Sequence, residues 1–186
     1  GKLLMIGVNR RYEDRSQQLK KMIEDGELGQ VYAANTGWLR RRGVPFWGDW
    51  FMEKEKAGGG PLIDIGVHML DLTWWLLGTP KPISVTGSVY HKIDNYLLTE
   101  WDANDPVLAG AIASGAADKV YDVEDSAFAF IRFEAGLTLT LAASWALNIE
   151  KEHGYLDIYG SKGGAKWNPL TIYTEKNNRL ANIQIT

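Results

Sequence analysis

Three polar residues interrupt an otherwise apolar stretch. From Gly58 to Gly78 the chain reads GGGPLIDIGVHMLDLTWWLLG, and its titratable groups are Asp64, His68 and Asp71. At about 100° per residue these three fall within roughly 60° of one another on a helical wheel. Leu62, Ile65, Met69, Leu72 and Leu76 share another sector, and Ile63, Val67, Leu70, Trp74 and Leu77 fill most of the rest. The spacing predicts a mostly buried helix with one narrow polar stripe. A carboxylate and an imidazole at i and i+4 are helix neighbours. The carboxylate orients the ring and favours its charged form, and such a histidine exchanges protons near neutral pH. Asp64 and His68 are therefore candidate proton-transfer residues. The same pair could instead be a buried, mutually satisfied lock on the helix.

The flanking residues add to the first alternative. The glycine triplet lets the backbone approach a neighbour closely, and a helix starting at Pro61 offers free N–H groups. Just upstream, LRRRGVPFWGDWF carries Arg40, Arg41, Arg42, Trp47 and Trp50. Arginine and tryptophan beside a proton-transfer pair suit a hydroxylated ligand. Arg40, Trp47 and Asp71 are the candidate substrate contacts, while Arg41 and Arg42 also read as solvated charges. Other chemistries fit less well. His91 and His153 stand at no spacing that would give His68 metal co-ligands, so no metal site is expected. No nucleophile-elbow motif accompanies a serine. A two-carboxylate glycosidase would leave His68 unexplained.

Composition narrows the field further. The absence of cysteine removes disulfides, thiol catalysis and thiolate metal sites. A net charge of −3 without a lysine-rich run argues against nucleic acid. No apolar run reaches the ~18 residues of a membrane span, and no signal peptide opens the chain, so no membrane partner and a cytoplasmic protein are expected. Eight tryptophans are many for 186 residues. Core packing is their usual use and sugar stacking the rarer one.

The elements that must position the polar stripe can be read in order. Lys2 to Val8 reads as a buried strand. A helix follows, with Asp14 and Gln17 as a capping box, Leu19, Met22 and Ile23 as its apolar face, and Gly26 as its stop. Residues 30–40 read as a strand, 61–78 as the helix above, and 82–92 as a strand. Asp105-Pro106 starts a short helix inside an acidic, irregular stretch over 93–122 that has no assigned role. Strands follow at 126–133, 137–147 and 155–159, with a compact turn at Glu134-Ala135-Gly136, and weaker ones near 170–174 and 181–185. Helices early and strands late predict an α+β fold: an open mixed, largely antiparallel sheet with helices on one face. In LTLTLAASWALN the residues Leu137, Leu139, Leu141, Ala143, Trp145 and Leu147 share a face that should pack under the helices. The opposite face, Thr138, Thr140, Ala142, Ser144, Ala146 and Asn148, is small and uncharged. It is either solvated or packed on another subunit.

These residues together resemble the Gfo/Idh/MocA oxidoreductases, a family that includes glucose–fructose oxidoreductase and inositol dehydrogenases. The stretch above is similar to the family's GGG-x-x-x-D-x-G-x-H-x-x-D motif. The likeness continues through GVNRRY and GELGQVYAANTGWLRRRGVPFWGDW upstream, and VEDSAFAFIRFEAGLTLTLAASWALN and GYLDIYGSKGGAKWNPLTIYTE downstream. It implies that this chain is a single C-terminal substrate-binding and oligomerisation domain of a two-domain enzyme. NAD or NADP would be bound mainly by a Rossmann domain outside the chain. No G-x-G-x-x-G follows a strand here and the family's Glu-Lys-Pro element is absent, so residues 1–8 read as the last strand of that missing domain. By the resemblance His68 is the acid/base that handles a substrate hydroxyl proton, Asp64 orients it or touches substrate, and Gly59 and Gly60 lie against the cofactor. The substrate would be a sugar, cyclitol or related polyol, oxidised at a CH–OH group. The partners would be that small molecule and further copies of the chain, a dimer or tetramer formed through the sheet face. A non-catalytic assembly or ligand-binding module is the alternative.

Overall fold

The computed structural model describes residues 1–44, 50–93 and 121–186. Trp47 and the short helix expected at Asp105-Pro106 lie outside the described residues. The remainder is one eight-stranded sheet with helices on one face. The strands are β1 (Val31–Leu39), β2 (Pro82–Tyr90), β3 (Ser126–Phe133), β4 (Thr138–Ser144), β5 (His153–Gly160), β6 (Gly164–Lys166), β7 (Thr171–Lys176) and β8 (Arg179–Gln184). Their order across the sheet is β2-β3-β4-β1-β5-β6-β7-β8. β1 is inserted between β4 and β5, parallel to the first and antiparallel to the second, and every other pairing is antiparallel. This is the open, mixed, largely antiparallel α+β arrangement anticipated above.

Two helices cover one face. These are α1 (Asp14–Glu24) and α3 (Val67–Leu76); a short α2 (Lys54–Ala57) and a π-helical turn, Leu62–Gly66, that opens α3 follow β1. Both long helices end in the same way. Gly26 and Gly78 take φ of +77° and +82°. The next residue in each case donates back across the last turn, Glu27 N–H to the Met22 carbonyl at 3.1 Å and Thr79 N–H to the Trp74 carbonyl at 2.9 Å. These are Schellman closures that glycine makes without steric cost. The N-terminal expectation for α1 is corrected: Glu13 is the capping residue, no side chain caps it, and Asp14 lies one residue inside, where its charge suits the helix dipole.

The covered face forms a core in two parts. Met69, Leu72 and Leu76 of α3 and Leu19 of α1 pack on Leu139, Leu156 and Ile158 of the central strands, all essentially without exposure. Beneath the π turn, Ile65 joins Val44, Met52, Val123, Ala143 and Trp145. Burying each of these aliphatic side chains contributes about 1.5–3 kcal/mol. Leu139, Leu141, Ala143 and Trp145 are buried as their alternation predicts, but Ala142, Ser144 and Ala146 of the opposite face are buried within the chain as well, so that end of the face is neither solvated nor open to another subunit.

Three further expectations change. Within this chain Lys2 to Val8 joins no sheet: Leu3, Leu4, Met5 and Ile6 are exposed and the run finds no strand partner among the described residues. An apolar run becomes a strand only where a neighbouring edge accepts its hydrogen bonds. β4 stops at Ser144 because the Trp145 N–H turns to the Asp125 carbonyl at 3.0 Å. The three residues of β6 were hidden in the glycine-rich GSKGGAKW.

Candidate active site

The site is built from the seam where α3 begins. α2 closes on Gly58 at φ +82°, and the chain then runs against β3. A Cβ on Gly60 would fall 2.1 Å from the Glu124 carbonyl oxygen, and one on Gly59 2.8 Å from Ile63 Cδ1. The close approach that the triplet permits is thus to this chain's own Glu124 and Ile63. Gly66 does the same one turn later: a Cβ there would stand 3.0 Å from the Ala143 Cβ. These glycines press the first turns of the helix onto β4.

That approach brings Asp64 to Trp145. The indole Nε1–H donates to Asp64 Oδ2 at 2.8 Å, and Trp145 itself is fully buried. No hydrogen bond or ion pair joins Asp64 to His68 among the described residues. Asp64 sits in the π turn and His68 in the regular helix after it, and the Asp64 carboxylate is engaged by the Trp145 indole instead. His68 is partly buried, and its Nδ1 is enclosed with no hydrogen-bond partner. Buried polar atoms are rarely left so, and an orphan of this kind marks a place where a ligand group or water completes the structure.

The remaining candidates have partners within the chain. Asp71 accepts from both ends of the Arg11 guanidinium, Nε at 2.6 Å and Nη2 at shorter range. This bidentate pair holds the arginine in its charged form above its ordinary value. Arg40 donates to the Gly43 carbonyl at 2.8 Å, lies 3.7 Å from a Glu152 oxygen, and stacks 5.2 Å from the Trp38 ring. Arg42 reaches Asn148 Oδ1 at 2.8 Å and Arg41 the Glu150 carbonyl at 3.1 Å. Asp71 and Arg40 therefore belong to the frame that holds the loop and the helix.

Two acidic residues escaped the sequence reading. Asp125 is buried beside β3. Its Oδ2 accepts the N–H groups of Lys92 and of Ile93, the latter at 2.8 Å, and its Oδ1 accepts the Ser126 hydroxyl at 2.8 Å. Its carbonyl takes the Trp145 N–H and the Ser144 hydroxyl. Glu124, next to it, supplies the carbonyl against which Gly60 lies. The available signal was a Val-Glu-Asp run immediately before a strand, which points to no chemistry by itself. Among the described residues no cluster of three or more histidine and carboxylate side chains is placed to hold a metal ion, and no helix is long and apolar enough to cross a membrane.

With this geometry in view the kinship is definite. Residues 16–166 match the family model of the GFO/IDH/MocA C-terminal domain. The chain is 38% identical to D-glucoside 3-dehydrogenase of Escherichia coli K12 over 98% of its own length and 49% of that protein. It is 34% identical to a putative UDP-kanosamine synthase oxidoreductase subunit of Amycolatopsis mediterranei, over 89% and 43%. The fold superposes on levoglucosan dehydrogenase, solved with NADH and L-sorbose, with a TM-score of 0.73 at 20% identity, covering 97% of this chain and 46% of that one. The chain belongs to the GFO/IDH/MocA family and carries its C-terminal domain. It spans about half the length of the curated relatives it matches.

Proposed function

We propose that this chain is the substrate-handling part of an NAD(P)-dependent dehydrogenase that oxidises a secondary alcohol of a sugar, cyclitol or related polyol. The relatives' names support the sugar class, and the observation that carries the reading is the buried, partnerless Nδ1 of His68. NAD(P)+, held mainly by a dinucleotide-binding domain outside these residues, takes the hydride when bound. What this chain supplies is the proton half of the reaction. The alcohol loses its O–H proton to the imidazole of His68 as its C–H electron pair departs, leaving a carbonyl. Asp64, fixed by the Trp145 indole, presents its second oxygen toward substrate or ring. Gly59 and Gly60 act indirectly: by seating the helix start on Glu124 they set where Asp64 and His68 stand. Arg40 and Asp71 act through the frame, and Trp47 remains a proposed substrate contact.

The test is His68→Ala in the full-length enzyme. We expect kcat to fall by about two to four orders of magnitude with an unchanged circular-dichroism spectrum. Near-normal kcat would remove His68 from the chemistry and favour a non-catalytic module.

A second part of the proposal concerns assembly. The uncovered sheet face carries Tyr90, Phe128, Tyr159 and Tyr173, all more than a third exposed, among Thr and Ser. A flat face with four exposed aromatic rings, whose charged residues Arg132, Asp157, Lys166 and Glu175 are of both signs, is the kind that packs on a copy of itself, and we propose that a homo-oligomer forms through it.

A further inference from the structure

A cavity whose lining includes neither Asp64 nor His68 gathers arginine and tryptophan. Arg10 and Arg11 are consecutive in one 3-10 turn, Arg10–Tyr12, yet their side chains separate. Arg11 goes to Asp71. The Arg10 guanidinium lies 4.6 Å from the Trp38 ring centre and 5.4 Å from that of Trp167. Arg40 is also on Trp38, at 5.2 Å, and Arg15 on Trp167, at 4.6 Å. The result is a chain of cation–π contacts in which Arg40, Trp38, Arg10, Trp167 and Arg15 alternate. Each indole is pinned at its nitrogen, Trp38 to Glu152 and Trp167 to the buried Ser16 hydroxyl, at 2.8 and 2.9 Å. A cavity of about 250 Å³ opens here, walled by Arg10, Arg15, Trp38, Trp167, Glu152 and Met69, the residue after His68.

The indoles are not platforms for a sugar ring, because guanidinium groups already lie on them. Their effect is to hold the arginines rigid, with N–H edges free to donate. Arg10 uses one of its donors on Glu13, at 3.3 Å, and Arg15 uses its Nε on the same glutamate, at 2.9 Å. Glu152 is shared between Trp38 and Arg40. Three guanidinium groups against two carboxylates leave one positive charge in excess, with His153 also on the rim. The cavity lies below the ~300–1,000 Å³ of a complete ligand site. It suits one charged substituent or a single ring, not a dinucleotide.

We propose that this pocket binds an anionic substituent of the substrate, a phosphate or carboxylate carried by the sugar, through the free N–H edges of Arg10 and Arg15. The inference rests on the dehydrogenase reading only in taking a sugar as the ligand, and its readout is binding, not turnover. The experiment is calorimetric titration of the full-length, cofactor-loaded protein with glucose, glucose 6-phosphate and glucuronate. At least one anionic sugar should bind about ten- to a hundredfold more tightly than glucose, the worth of one charge-assisted hydrogen bond. The stronger of the two tells phosphate from carboxylate. Arg10→Gln and Arg15→Gln should each erase most of that advantage and leave glucose binding unchanged, and added salt should weaken it. Equal binding of glucose and both anionic sugars, no binding of either anionic sugar, or a preference that survives the double substitution would each overturn the proposal. Repeating the titration with His68→Ala separates the two readings: an intact anion preference with unimpaired turnover would sink the role of His68 and leave the pocket standing.

Discussion

The two faces of the one sheet solve different problems with the same strands. On the covered face, Ala34 and Thr36 of β1, Leu139 and Leu141 of β4, and Leu156 and Ile158 of β5 meet helix side chains and lose nearly all contact with water. On the other face, the intervening residues of those strands include Asn35, Thr140, Asp157 and Tyr159, and no described helix covers them. The covered face is held by shape, down to glycines that admit no side chain. The uncovered face is held by backbone pairing, with Tyr155 lying over Gly37 as a local lid. Substitutions at the covered seam should therefore unfold the domain, while those on the open face should change what the domain meets.

The largest effect is expected at Gly60. Gly60→Val drives a branched side chain into the Glu124 carbonyl, which neither helix nor strand can yield without losing its pairing. We expect a loss of about 3 kcal/mol or more in urea unfolding of the full-length protein. A normal midpoint would show that the seam is looser than its contacts indicate. Next comes Asp125→Ala, which strands the N–H groups of Lys92 and Ile93 and the Ser126 hydroxyl. A loss of about 2–4 kcal/mol is expected, with Asp125→Asn in between because its single carbonyl oxygen still accepts. Equal stability of wild type and Asp125→Ala would mean that water replaces the carboxylate freely.

On the open face the contrast reverses. Phe128, directly across from Ala142 of β4, is more than a third exposed. Phe128→Lys should change the unfolding free energy of the isolated chain by only about 0.5 kcal/mol, yet convert an oligomer to smaller species in sedimentation velocity. An unchanged sedimentation coefficient would leave the open face without a partner.

How much of this was legible in the sequence depends on range. The alternation of β4 and the glycine stops of α1 and α3 were readable because period-2 patterning and φ-positive glycine are local signals. The polar positions Asp64 and His68 are readable from their spacing, but the π turn that holds Asp64 and the indole that engages it are not, since no composition signal distinguishes a wide turn from a regular one. The seam was invisible for another reason. Gly60 meets Glu124, Asp64 meets Trp145 and Asp71 meets Arg11 across 60 or more residues, and one sequence carries no record of such pairings. Lys2 to Val8 shows the converse case, an apolar strand pattern that no edge among the described residues receives.

The smallest predicted effect is also the sharpest test of what covers the open face. Asp157 sits between Tyr155 and Tyr159 on that face, across from Lys166. Burial raises its carboxyl above the ordinary value, and the charge of Lys166 only partly offsets this. A raised pKa means that the folded chain holds this proton more tightly than the unfolded one. The favourable contribution is complete below the unfolded value near 3.9 and is lost as pH rises through the folded value. Asp157→Asn should therefore match wild type at pH 3 and be modestly more stable at pH 7, read from paired urea curves. The gain should widen at higher protein concentration if a second copy seats on the face, because further desolvation disfavours the charge more. A variant less stable than wild type at pH 7 would show instead that the Asp157–Lys166 pairing outweighs desolvation and that this part of the face stays in water.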